Sequence, residues 1–328
     1  MAQITVVRKG EQEPTALASL VDDYLSHLKS KEVSHRTIDW HHWTLNRIFL
    51  PFCADHKLTE PSQLTTRLME RLQADLLSRA NLHTGAPLAK ASVRTYMRSV
   101  GHFLRWALRE GEEVPTPPAS IRVPKEPRDR LSREEISRLE GRAGSERDKL
   151  IIRILADTGI RLGELVHLTV EDLVEVERKR FLRIRHRQSG GGAKGDTARL
   201  IPISHLWRRI RLYVDRTRPK DSDSRRIFLS HARQPESGRH EPLQERGIQL
   251  LISGLGQDEL GRRVHPHLLR HAYVAWSLRQ PGLSTVIVAR TLGHSSTAMV
   301  DRVYSEMVGS DDAYEALSRA FAAEKDAD

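Results

Sequence analysis

The chain has 328 residues, past the size of about 250–300 at which a single hydrophobic core stops growing, so two domains are expected. It is 38% hydrophobic and 29% charged, and it has no apolar run long enough to span a bilayer and no signal-like N-terminus, which excludes a membrane partner. A lone Cys53 excludes a disulfide framework and a multi-cysteine zinc cluster, and it points to a reducing, cytoplasmic setting; we read it as a packed residue at a helix end. The 53 Lys and Arg outnumber the 43 Asp and Glu, for a net charge of +10. That surplus favours a polyanionic partner, because each phosphate neutralised releases counterions.

The first half reads as a helical bundle. Leu17, Leu20, Val21, Tyr24, Leu25 and Leu28 recur at helical spacing, and Ile38, Leu45, Ile48 and Phe49 continue the pattern behind a Ser34 cap. A third helix carries Leu68, Met69, Leu72, Leu76 and Leu77. A fourth, opened by Ser92, carries Val93, Tyr96, Met97, Val100, Phe103, Leu104 and Leu108. These stripes are core. Five prolines between Val114 and Arg130 forbid a continuous helix and predict an interdomain linker. Ser132 and Glu135 then form a capping box that opens a second domain, and Leu150–Thr158 is a helix closed by Gly159. From Phe181 to Ile203 the pattern turns to alternation, a Gly-rich turn and a β-branched run, which predicts a β-hairpin. Helical patterns resume after Ser204 and run through 243–255, 267–278, 285–292 and 297–307. The expected fold class is mainly α with a small β element, α+β: a helical bundle over 14–113, a linker over 114–130, a mixed α/β domain over 131–310 and a tail helix over 311–328. Helical patterning begins by about Thr15, so no extra N-terminal domain is expected.

Five short motifs follow one another in the second domain: TGIRLGEL from Thr158, AKGDTARLIP from Ala193, HPHLLRH from His265, LGHSS from Leu292 and VDRVYSEM from Val300. In this order the set resembles the tyrosine recombinase (phage integrase) family, to which the Xer and Cre recombinases belong. The resemblance covers the catalytic domain motif by motif, and the bundle with its linker suits the family's SAM-like core-binding domain. It implies that Arg161 and Arg270 are the catalytic arginines, Glu164 the supporting acid and Lys194 the lysine of the hairpin turn. His267 pairs with Arg270, His294 fills the last histidine position, and Tyr304 is the nucleophile. The separation of His294 and Tyr304, 304 − 294 = 10 residues, is one longer than the commonest family pattern.

The residue chemistry agrees with those roles. Splitting a phosphodiester needs charge stabilised on two non-bridging oxygens, and guanidinium groups supply planar, permanently charged donors. His267 and Arg270 share a helical face. Pro266 suits a first turn, which puts His267 at a helix N-terminus that attracts phosphate and disfavours a charged imidazole. His265 and His271 are read as structural. Lys194, beside Gly195, is able to reach a leaving oxygen and donate a proton, and Arg199 is a neighbouring candidate for DNA-backbone contact. A phenol such as Tyr304 forms an ester that a DNA hydroxyl can later displace. No cofactor and no metal are expected: GGGAKGDT lacks the order of an ATP-binding loop. The implied partner is double-stranded DNA with an inverted-repeat core site, held by a homotetramer that exchanges C-terminal tails. The rival readings are a type IB topoisomerase-like enzyme, a DNA-binding protein without catalysis, and a basic RNA-binding scaffold.

Overall fold

The computed structural model describes residues 15–81, 85–123, 129–185, 198–293, 296–298 and 300–301. The chain divides into two compact units, Met1–Pro127 and Arg128–Asp328. Among the described residues no helix is long and apolar enough to cross a membrane.

Unit 1 is helical. Helix α1 (Ala16–Ser30) starts where Thr15 Oγ1 accepts from the Ala18 N–H at 3.2 Å, and α2 (His35–Thr44) where Ser34 Oγ accepts from the Thr37 N–H. Each cap satisfies one of the donors that a helix start leaves unpaired. A π-helical turn, Leu45–Phe49, leads into α3 (Leu50–Asp55). Pro51, the second residue of α3, has no N–H to give and would crowd the carbonyl four residues back, so the backbone widens just before it. Helix α4 (Thr66–Ser78) is capped by Thr65. Helix α5 (Lys90–Glu110) begins two residues before the expected Ser92, from an Ala89 N-cap without a side-chain bond, and ends at Gly111 with φ 92°. Leu17, Val21, Leu45, Phe49, Met69, Val93, Phe103 and Leu104 are fully buried between these helices, each contributing roughly 1.5–3 kcal/mol by leaving water. Cys53 is buried and its thiol pKa is pushed up to about 12 by that burial.

The proline-rich stretch is partly packed. Val114 is buried, Ile121 rests on the unit 1 core, and a Cβ on Gly101 of α5 would stand 3.3 Å from Pro117. The first residues of the expected linker therefore lie against the bundle.

Unit 2 carries α6 (Arg133–Arg142), α7 (Glu146–Thr158) and α8 (Leu162–His167), then strands β1 (Leu173–Val176), β2 (Lys179–Ile184) and β3 (Arg199–Pro202). After them come α9 (Ser204–Leu212) with a π turn at Tyr213–Thr217, strands β4 (Leu229–Arg233) and β5 (His240–Pro242), and helices α10 (Glu245–Leu260), α11 (Pro266–Ser277) and α12 (Thr285–Leu292). The capping box at Ser132 and Glu135 is present in both directions. The expected hairpin is β2 with β3, pairing Leu182 with Ile201, but β1 adds a third antiparallel strand that pairs Leu173 with Leu182. A second, two-stranded sheet joins β4 to β5. Leu150, Ile151, Ile154, Leu182, Ile201 and Leu269 fill one core around α7, α11 and the three-stranded sheet. Behind a Ser145 cap, helix α7 starts at Glu146, four residues ahead of the expected Leu150, and ends in left-handed Gly159 at φ 63°.

The β1–β2 turn is built from Glu177 (φ 50°) and Arg178 (φ 62°). A two-residue hairpin needs left-handed backbone and is normally made by Asn-Gly; here two residues with side chains take it, at a cost of about 1–2 kcal/mol each. Replacing them together, Glu177→Asn with Arg178→Gly, is expected to raise the melting temperature of unit 2 in calorimetry. An unchanged or lowered transition would contradict the strain.

Buried polar chemistry in unit 1 centres on His41, which is 4% exposed. Its Nδ1 lies 2.9 Å from the buried Ser99 hydroxyl, Tyr24 and His102 meet it edge-on, and Trp40, carrying Arg98 over its ring, packs beside it. Burial, followed by the charges of His102 and Arg98, lowers its pKa to about 4. The unfolded chain takes up that proton near the ordinary value of about 6.5, the folded chain only near 4. The stability this neutral histidine supports is complete above the unfolded value and is lost as pH falls between the two, at about 1.4 kcal/mol per unit of separation. Urea unfolding is expected to show the unit 1 transition weakening from about pH 7 to pH 5, with a flatter dependence in His41→Gln. A wild-type midpoint that does not move over this range would refute it.

Candidate active site

Four of the residues singled out from the sequence come together in unit 2. The chain leaves α7 through Gly159, whose left-handed conformation reverses it; a Cβ there would stand 2.7 Å from Leu292 Cδ2. Two residues on, Arg161 is the N-cap of α8, and its N–H donates to Glu164 Oε2 at 2.8 Å. The Arg161 guanidinium is also 3.6 Å from the other carboxylate oxygen. Glu164 is gripped from the far side by Arg199 on β3, whose Nη1 and Nη2 donate to the two oxygens at 2.9 and 2.8 Å. Arg199 Nε donates in turn to the Thr291 carbonyl on α12 at 2.7 Å. Burial pushes the Glu164 carboxyl up, but the bonds and charge of Arg199, with the Arg161 N–H and guanidinium, more than offset it and hold it ionised below the usual range. The Arg199 and Glu164 side chains are 8% and 11% exposed, that of Arg161 27%, so Arg161 is the member of this trio that reaches water.

Helix α11 brings the second pair. His265 is its N-cap, Pro266 opens the first turn, and His267 and Arg270 follow one turn apart. Arg270 is buried, and its two terminal nitrogens donate to backbone carbonyls at two helix ends: Gly159 after α7, and Leu292 of α12 at 3.2 Å. Water reaches the His267 ring, yet the surrounding atoms crowd it; that desolvation, then the charges of Arg270 and Arg161, lower its pKa. The ring is therefore neutral at physiological pH, and both guanidinium groups act on it. His265 turns its ring edgewise to His267 at 6.2 Å. After α12 the chain passes Gly293 at φ 69°, where a Cβ would stand 2.6 Å from Arg199 Nη1, so both the turn and the arginine require glycine.

Arg161, Glu164, His267 and Arg270 thus form one cluster, whereas Lys194, His294 and Tyr304 lie outside the described residues. Arg199, a candidate from the sequence for DNA-backbone contact, is seen here donating to both Glu164 oxygens and to the Thr291 carbonyl. Its partner lies 35 residues away in the chain, and no local pattern announces such a pair. Chemically the cluster offers two permanent cations and a neutral imidazole beside a helix N-terminus, a set suited to an anionic oxygen centre.

Comparison with known proteins bears on the family and the fold. Tyrosine recombinase XerA of Pyrococcus horikoshii is 25% identical over 298 residues, 90% of this chain and 92% of its own length. The fold is that of the XerH site-specific recombinase bound to palindromic difH substrate in a post-cleavage complex, with a TM-score of 0.65 and 15% identity over 92% of this chain and 83% of that one. It is likewise that of a lambda integrase tetramer bound to a Holliday junction, with a TM-score of 0.62 and 17% identity over 89% and 78% of the two chains. The phage integrase family model matches residues 129–308, more than half of the sequence, and the chain belongs to that family, as a tyrosine recombinase.

Proposed function

We propose that this recombinase cleaves and rejoins DNA at a specific site through a 3′-phosphotyrosyl intermediate, with Tyr304 as nucleophile and without metal or ATP. The observation that carries the reading is that Arg270 donates to the Gly159 carbonyl, two residues before Arg161, with His267 one turn before Arg270 on the same helix. Arg161 and Arg270 hold the two non-bridging oxygens and stabilise the charge that grows on them as the phosphorus becomes five-coordinate. The Tyr304 oxygen bonds to phosphorus while the bond to the 5′ oxygen breaks, and Lys194 gives that oxygen its proton. Neutral His267 is able to accept the phenol proton, and His294 donates to a phosphate oxygen. A 5′ hydroxyl from the partner strand then attacks the phosphotyrosine, restores the diester and frees Tyr304, so bond energy is kept without a nucleotide. Glu164 supports Arg161.

Unit 1 serves as the core-binding domain and unit 2 as the catalytic one. The DNA is a duplex with an inverted-repeat core site; four protomers join two such sites and pass through a Holliday junction in the cytoplasm. Support for the assembly comes from the lambda integrase tetramer, and support for the DNA from the palindromic substrate of XerH. In the tail, Ala313, Tyr314, Leu317, Ala320 and Phe321 fall on one helical stripe. A helix this short needs its apolar face covered, and we assign that face to a neighbouring protomer.

Three measurements test this. On a nicked duplex carrying the site selected from random DNA, wild type is expected to form a detergent-stable adduct in EDTA without ATP, and Tyr304→Phe none; an undiminished adduct from the variant, or a strict need for Mg²⁺, refutes the nucleophile. With sulfur at the 5′ bridging position, Lys194→Ala is expected to recover cleavage, because a thiolate leaves without a proton, while Arg161→Ala and Arg270→Ala stay inactive. Equal rescue of all three rejects that division of roles. Removing residues 312–328 is expected to weaken synapsis of two sites far more than binding of one, and unchanged synapsis rejects the exchanged tail.

A further inference from the structure

Helix α8 has only six residues, too few to hold a fixed direction unaided, yet Arg161 is its N-cap. Its orientation is fixed from outside. Glu164 takes the Arg161 N–H on one oxygen, and the same carboxylate is held on both oxygens by Arg199. The third donor of Arg199 reaches the Thr291 carbonyl near the end of α12, the helix whose Leu292 carbonyl seats Arg270. One guanidinium thereby ties three segments, the start of α8, strand β3 and the end of α12, and the Arg199 side chain is 8% exposed.

We propose that Arg199 is a positioning residue for strand cleavage: by clamping Glu164 and the Thr291 carbonyl, it holds Arg161 in register with the end of α12 that seats Arg270. The inference rests on the reading of Arg161 and Arg270 as the arginines that hold the scissile phosphate. Two features set it apart from a generic buried ion pair. The planar fork of an arginine meets two carboxylate oxygens and a carbonyl together, which a lysine ammonium does not reproduce. A buried pair that serves stability alone is replaceable by apolar residues of similar volume, whereas a clamp is not, because the direction of Arg161 depends on the bonds themselves.

The test uses the full chain and the selected nicked duplex. Arg199→Met is expected to bind that DNA as wild type does, while single-turnover adduct formation falls about 100-fold, the loss typical of reacting groups displaced by an ångström. Its residual rate is expected to climb with pH where wild type is flat, because burial then pushes the Glu164 carboxyl up and only its ionised form still holds the Arg161 N–H. Arg199→Lys is expected to recover part of the rate. The double variant R199M/E164L, which removes both buried charges, is expected to regain the wild-type melting temperature and remain as slow as Arg199→Met. Wild-type cleavage by Arg199→Met overturns the proposal, and so does a double variant that regains rate together with stability. If Arg199→Met does not fold, the double variant decides alone. An undiminished adduct from Tyr304→Phe overturns the underlying chemistry, and this inference with it.

Discussion

A guanidinium buried in a protein core needs partners that replace water, and for Arg270 they are the carbonyl ends of two helices. Arg270 is 8% exposed and donates to the backbone at Gly159 and Leu292. Helix ends carry the last unpaired carbonyls and the negative pole of the helix dipole, so they are the natural seat for a buried cation. The seat forces α7 and α12 to finish at the same place, and both do so through left-handed glycines, Gly159 and Gly293, with no room for a Cβ. Taking such a partner away from a buried charge costs about 3–5 kcal/mol, which ties the stability of this region to the geometry of its arginine.

Charge balance around that seat explains the state of the histidine. Glu164 is the carboxylate that meets Arg161 and Arg199, and with Arg270 nearby the cations outnumber it. The surplus does not fall on Arg199, whose charge is absorbed inside; it falls on the surface beside His267. An imidazole crowded by neighbours and facing two guanidinium groups stays neutral, while a phosphodiester is drawn to the same place. On the proposed function, the arrangement suits the pentacoordinate state better than the diester, because that state gains negative charge where the cations already stand.

Much of this was legible in the sequence, for identifiable reasons. The side-chain caps at Ser34 and Ser132, and the glycine after α7, act over three or four residues and leave a local signature. Helix α5 starts ahead of Ser92 because Ala89 caps it with no side-chain bond, which leaves no signature in the sequence. Strand β1 leaves no turn signal in the sequence because Glu177 and Arg178 make its turn without the usual Asn-Gly, and β4 and β5 are too short to alternate clearly. In the site, His267 and Arg270 are neighbours on one helix and so are read together. Arg199 with Glu164 is a tertiary match between β3 and α8, visible only once the register of the sheet is set.

Arg161, His267 and Arg270 stand as one electrostatic cluster in the free protein, with Arg270 bonded to the Gly159 carbonyl two residues before Arg161. A nuclear magnetic resonance titration of His267, in wild type and in Arg161→Gln, measures it directly. The wild-type pKa is expected below the ordinary histidine value and is expected to rise in Arg161→Gln as one of the two nearby charges is removed. An ordinary value in wild type, or one indifferent to Arg161, would contradict it.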